Sequence, residues 1–483
     1  MSGALVIGAL IGILITASVA AKVDADEVGF DPSERYPGGD TTHRRAGLTA
    51  NAFSRAAANL SFEEQFRFKL GNAFFRKLWV SAPASTRSSD GLGPLYNARA
   101  CLRCHLKDGR GHPPDERAND RSTVSLVLKL AVPPRDGTSV SGDFLRLEPE
   151  PRYGHQLQDF AILGHLAEGR VDLRFEDAER VELSDGDRVQ LRRPVYDVAN
   201  VNYGPLDPLV IVSPRVAPPV IGLGLLELIP EPSILSLADP SDRDGDGISG
   251  RPHWLDAPEA DGRRLGRFGW KAAHASLSEQ NQGAFFEDMG ISTALHNRAA
   301  GACTASQVRC RAAPSGSNAP GRPEAEPEIT DLVLHYTRHL SVPPRRRPQA
   351  PDVLAGKRLF ATLGCAKCHH PSFVTETAAD RPALSGQRIW PYTDLLLHDM
   401  GPGLADRGLD GRVAGREWRT APLWGIGLTE VVSGHTRFLH DGRAKNLTEA
   451  ILWHGGEASA SRDQFASLSV PDRALLLAFL NSL

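Results

Sequence analysis

Two pentapeptides carry chemistry that the rest of the chain must serve. Cys101-Leu102-Arg103-Cys104-His105 and Cys365-Ala366-Lys367-Cys368-His369 share the pattern Cys-x-x-Cys-His, the attachment motif of c-type haem. The short spacing lets both thiols reach the vinyl groups on neighbouring pyrroles of one rigid porphyrin. The adjoining histidine is thereby placed under the iron as its proximal ligand. A zinc site would need further ligands close to each motif, and none follows. A thiol redox pair has no use for the trailing histidine. Two covalently bound c-type haems are therefore expected, linked through Cys101, Cys104, Cys365 and Cys368, with His105 and His369 on the irons. Of the six cysteines, the remaining two, Cys303 and Cys310, read as a structural disulfide of an oxidising compartment.

An iron that only carries electrons takes a second axial ligand. For the second haem the candidates are His398, Met400, His435, His440 and His454. Asn446 predicts a helix cap before Leu447, with Glu449 completing a capping box. Leu447, Ala450, Ile451 and His454 then share one face, and Gly455-Gly456 ends the helix. His454 is the favoured sixth ligand and Met400 the second choice; a bis-histidine iron has the lower potential. The first iron is then the reactive candidate, with His112, His155, His253 and His274 as distal groups among which the sequence does not choose. Bond-breaking chemistry at an open iron requires a proton to be moved. Glu227 ends the apolar stretch 220–229, where burial would raise its pKa, so it is the catalytic candidate; a structural pair with an arginine such as Arg215 is the alternative. Trp270 and Trp424 could stand between the haems, although large aromatics more often fill cores.

Asp242, Asp244 and Asp246 alternate ahead of Gly247, as at the start of an EF-hand loop, and a calcium ion is expected there. The pattern departs later, where His253 replaces the glutamate.

The elements that position these groups are expected to be mainly α: two cytochrome c-like haem domains, the first enlarged by a β-rich insertion. Ser61 and Glu64 form a capping box that predicts a helix ahead of the first motif. Residues 121–212 hold several β-prone runs, with Asp185-Gly186 as a hairpin turn. A Pro/Arg-rich linker over 341–351 separates an N-terminal unit, 23–340, from a C-terminal one, 352–483. Residues 4–21 are apolar and end in small residues, which predicts a signal peptide or membrane anchor within 1–22 and a periplasmic location. A net charge of −3 over 483 residues argues against nucleic-acid binding. There is also an internal echo. Arg215-Val216-Ala217-Pro218-Pro219 leads to Gly222-Leu223-Gly224-Leu225-Leu226-Glu227, and Arg419-Thr420-Ala421-Pro422-Leu423 leads to Gly425-Ile426-Gly427-Leu428-Thr429-Glu430. With one residue of slippage the two align, as two related units about a pseudo-twofold would.

Taken with Asp90-Gly91-Leu92-Gly93-Pro94, Asp108-Gly109-Arg110-Gly111, Gly266-Arg267-Phe268-Gly269-Trp270-Lys271-Ala272, Asp288-Met289-Gly290, Pro391 to Gly401, Phe438-Leu439-His440-Asp441-Gly442-Arg443 and His454-Gly455-Gly456-Glu457-Ala458, the chain resembles the di-haem oxidoreductase (thiol oxidoreductase-like) family. That group is related to bacterial di-haem cytochrome c peroxidases. The resemblance implies redox chemistry on haem, peroxide reduction by kinship, and a homodimer. It also places His454 near the position of the peroxidases' distal methionine. The expected function is peroxidase-like: electrons from a small periplasmic cytochrome or cupredoxin pass by one haem to a substrate at the other. The alternatives are a non-catalytic electron carrier, or an oxidase of an organic or thiol group.

Overall fold

The long helices, in chain order, are α1 (Phe62–Arg76), α2 (Leu277–Met289), α3 (Pro327–Arg338), α4 (Pro351–Thr362) and, after the short α5 (Leu447–Leu452), α6 (Val470–Ser482). They come from a computed structural model that describes residues 29–45, 47–86, 89–113, 125–134, 147–257, 262–317, 319, 321–409 and 413–483. The apolar segment 4–21 lies outside these, as do parts of the β-prone region. Among the described residues, no helix is long and apolar enough to cross a membrane.

Helix α1 starts where its capping box predicts: the Glu64 N–H donates to Ser61 Oγ at 3.3 Å, and the Ser61 N–H to the Glu64 carboxylate at 2.8 Å. It precedes the first pentapeptide and packs on α3, as α4 precedes the second and packs on α6. The two frames repeat in detail. A Cβ on Gly71 of α1 would lie 2.1 Å from the Leu332 carbonyl oxygen of α3; one on Gly356 of α4 would lie 2.0 Å from that of Leu475 on α6. One helical turn on, Phe75 and Phe360 each stand 6.2 Å, ring to ring, from His105 and His369. The same rings lie 5.1 Å from Tyr336 and from Phe479. Only glycine allows helices this close, and the closeness seats each phenylalanine against its histidine.

The halves clasp through the echoed segments. Gly222 and Gly425 have φ of +68° and +74°, a conformation glycine adopts without strain. A Cβ on Gly222 would lie 2.4 Å from the Trp424 ring, and one on Gly425 2.9 Å from Ile221. Ile221 and Trp424 each precede their glycine, so the contacts are reciprocal, as a twofold requires. The Val216 N–H donates to the His440 carbonyl at 2.7 Å and the Arg419 N–H to that of Trp270 at 2.9 Å. These bonds set Val216, not Arg215, opposite Arg419, and the echo runs without the slippage that side-chain identity suggested.

Strands β1 (Leu126–Ala131), β2 (Arg170–Glu182), β3 (Arg188–Ala199), β4 (Ile211–Val216) and β5 (Asp406–Gly408) complete the frame. β4 pairs antiparallel with β1 and, at Arg407↔Val212 and Gly408↔Ile211, with β5 of the other half. β2 and β3 form a long hairpin turning at Asp185-Gly186. Its tip docks on the C-terminal half: the Ser184 N–H donates to the Ala466 carbonyl at 3.0 Å, and Arg473 pairs with Asp185. Leu183 and Leu191 of this hairpin are buried in one core with Phe360 and Phe479.

The expectation of a mainly α fold built of cytochrome c-like domains does not hold. The chain is 31% helical and 18% strand, with several small sheets, and is mixed α/β. Many of its strands are two or three residues long and exist through partners distant in sequence, so no period-2 pattern announces them. The Pro/Arg-rich segment after Leu340 is partly buried: Ser341, Val342 and Arg345 are buried and Arg347 is exposed. Arg345 and Lys357 both pair with the buried Glu34.

Candidate haem-binding site

Both pentapeptides open on a single cavity of about 470 Å³. Cys101, Cys104 and His105 form part of one wall, Cys365, Cys368 and His369 part of another, and Trp270 stands on the same surface. The His105 Nδ1–H donates to the Pro218 carbonyl at 2.9 Å, and the His369 Nδ1–H to that of Tyr392 at 2.9 Å. Each bond fixes the tautomer and leaves the Nε2 lone pair for a metal. Burial pulls both imidazoles down to about 4, so each is neutral at pH 7.

Opposite each proximal histidine runs a helix with the same start. On α5 the Glu449 N–H donates to Asn446 Oδ1 at 2.8 Å and the Lys445 N–H to the Glu449 carboxylate at 2.9 Å. On α2 the Glu279 N–H donates to Ser276 Oγ at 3.2 Å and the Ala275 N–H to the Glu279 carboxylate at 3.0 Å. A matching antiparallel bridge precedes each cap, Phe438↔Ala444 and Phe268↔His274. Counted from the caps, His454 and Ala284 hold the same position, and both line the cavity.

On the second side, the His454 Nδ1–H donates to the Ala450 carbonyl at 2.7 Å, which leaves Nε2 for a metal; Met400 shares this wall. His398 also lines it but is engaged at both nitrogens, Nε2 at 2.8 Å from Asp394 and Nδ1 at 2.7 Å from Glu457. Burial opposes its charge, but hydrogen bonds with Asp394, Cys368 and Glu457 outweigh burial and hold it well above the usual histidine range. A charged imidazolium has no lone pair for iron. His440 stacks on Trp418 with ring centroids 3.7 Å apart. His435 is off the cavity wall, bonded to the Gly111 carbonyl at 3.0 Å.

On the first side, His274 is the one of the four distal candidates that reaches the wall. His112 faces His435, and the His253 Nδ1–H is tied to the Lys271 carbonyl at 2.8 Å. Lys129 and Glu287 line the same region and pair with each other. Burial alone would raise the Glu287 carboxyl, but Lys129 overrides it and holds it at about 2.

A family model described as "Di-haem oxidoreductase, putative peroxidase" matches residues 33–483. The chain belongs to the di-haem oxidoreductase family. A search of curated proteins gives no match. The family carries two haems, and this di-haem oxidoreductase offers two equivalent seats for them: paired thiols and a neutral, oriented histidine on a largely apolar wall. The residues present fit the group.

The structure does not bring Glu227 to this cavity. Its carboxylate binds Arg338 Nε at 2.7 Å and Arg381 at 3.3 Å and accepts the Leu277 N–H at 2.9 Å. It holds helix α2 to α3, paired with arginines, though not with Arg215. Ala284, which sequence reasoning missed, becomes visible only by aligning 267–284 with 437–454; nothing in the local sequence singles out Glu287 or Lys129, which the fold brings to the same wall. Trp424 packs against Gly222, and Trp270 donates from Nε1 to the Val216 carbonyl at 2.8 Å. Asp242, Asp244 and Asp246 place carboxylate oxygens within 4.8 Å of one another. Lys367, inside the second pentapeptide, pairs with Asp246 at 2.9 Å. Cys303 and Cys310 form a disulfide.

Proposed function

We propose that this di-haem oxidoreductase is a peroxidase-type enzyme in which the His105 side receives the substrate, hydrogen peroxide being favoured, and the His369 side relays electrons to it. When bound, each haem supplies a redox-active iron. Cys101, Cys104, Cys365 and Cys368 would hold the two haems as thioethers, with His105 and His369 as proximal ligands. His454 would complete the second iron. The observation that carries this reading is the replacement of His454 by Ala284 at the equivalent position: one side provides a sixth ligand and the other leaves room. Trp270 and the stacked Trp418–His440 pair line the cavity that both pentapeptides share and suit electron passage.

The donor is a small periplasmic cytochrome or cupredoxin, consistent with an oxidising compartment for the disulfide. The acidic loop would take calcium through Asp242, Asp244 and Asp246 and, through Asp246 and Lys367, steady the second pentapeptide. The test is steady-state oxidation of a reduced c-type cytochrome by hydrogen peroxide. Turnover is expected for the unaltered protein and is lost in Ala284→His with both haems retained. Turnover that survives in Ala284→His contradicts the reading.

A further inference from the structure

We propose that His274 is the proton acceptor above the first iron, the group that deprotonates a protic ligand as it enters the distal space. This rests on the reading of the His105 side as an open haem site. The two halves exchange side-chain volume at this point. In the second half the distal helix presents Trp453-His454, and the loop before it carries the small, fully buried Ala444. In the first half the helix presents Gly283-Ala284 and the loop carries His274 at the position of Ala444. A Cβ on Gly283 would lie 3.4 Å from the His274 Cε1. The imidazole therefore lies against the helix where Trp453 has its counterpart, next to the vacated ligand position.

The backbone holds the ring there. The Phe268 N–H donates to the His274 carbonyl at 2.9 Å and the His274 N–H returns to that of Phe268 at 3.4 Å. No hydrogen bond joins either ring nitrogen to another described residue, unlike the anchored imidazoles of His105, His369 and His454. Burial keeps the ring neutral, at about 4, with Glu279 and Glu287 from α2, Lys129 from β1 and Arg215 from β4 around it. A neutral imidazole with an unengaged lone pair can take a proton.

Hydrogen peroxide and hydrogen cyanide both ligate ferric iron as their conjugate bases. The H–O or H–C bond breaks, its electron pair stays on the ligand, and the proton passes to the His274 ring, giving imidazolium. No oxidant or reductant is consumed in this step. Carbon monoxide carries no proton and does not need it.

The purified di-haem protein is therefore compared with His274→Gln and His274→Ala, each checked for two haems and an unchanged second-haem spectrum. Cyanide association is expected to slow roughly 100-fold in both variants, while carbon monoxide association changes by less than about threefold. Unchanged cyanide rates overturn the assignment while the open-haem reading stands. So does a new high-spin signal in the variants, which would mark His274 as an iron ligand. If the unaltered protein binds neither cyanide nor carbon monoxide, the open-haem reading fails, and this assignment with it.

Discussion

The two distal helices begin alike and end apart. Asn446 and Ser276 cap them in the same way, a matching bridge precedes each, and their first turns superpose residue for residue in type: Leu447-Thr448-Glu449 against Leu277-Ser278-Glu279. Two turns later one presents Trp453-His454 and the other Gly283-Ala284. The proximal frames diverge less: Gly71 and Gly356 make the same close helix contact, Phe75 and Phe360 stand at the same distance from His105 and His369, and each histidine donates its Nδ1–H to a backbone carbonyl. A duplicated frame thus keeps its proximal side and varies the distal side chain, the difference on which the proposed division between a relaying and a reacting iron rests.

The comparison is broken most severely by exchanging the distal residues. Ala284→His is expected to close the first haem, with peroxidase turnover falling at least about 100-fold and cyanide binding lost there. His454→Ala should do the reverse, giving cyanide binding at the second haem and a changed potential; a second haem still closed to cyanide would point to Met400 as its ligand. The proximal frames should respond alike to damage. Gly71→Ala and Gly356→Ala each force a side chain onto a helix backbone and should cost about 3 kcal/mol in chemical denaturation, and unequal losses would argue against equivalent frames. Glu227→Gln should cost about 2 kcal/mol through its half-buried arginine partners and leave cyanide association unchanged. The smallest effect is expected from a calcium chelator, which should lower the thermal midpoint by about 2–4 °C; an unchanged midpoint and haem spectrum count against calcium in the Asp242–Asp246 loop.

What could be read from the sequence was local. The pentapeptides, the capping boxes at Ser61 and Asn446 and the turn at Asp185-Gly186 are each written within a few residues, and the structure shows the corresponding backbone. The echo around Gly222 and Gly425 was legible as a repeat, but its register was decided by hydrogen bonds from Val216 and Arg419 to the opposite half. Part of the strand content was hidden for the same reason: Leu95–Tyr96 pairs with Phe160–Ala161, and β4 pairs with β5 of the other half. The arginine partners of Glu227, Arg338 and Arg381, lie far along the chain and could not be read beside it. His274 could not be selected from four histidines until the missing side chains at Gly283 and Ala284 showed which one had space to fill.

The asymmetry between the two sides is tested most directly by electron paramagnetic resonance of the oxidised protein carrying both haems. One high-spin and one low-spin ferric signal in equal amounts are predicted, the high-spin signal vanishing in Ala284→His. Two low-spin signals in the unaltered protein, with neither moved by cyanide, would contradict the account.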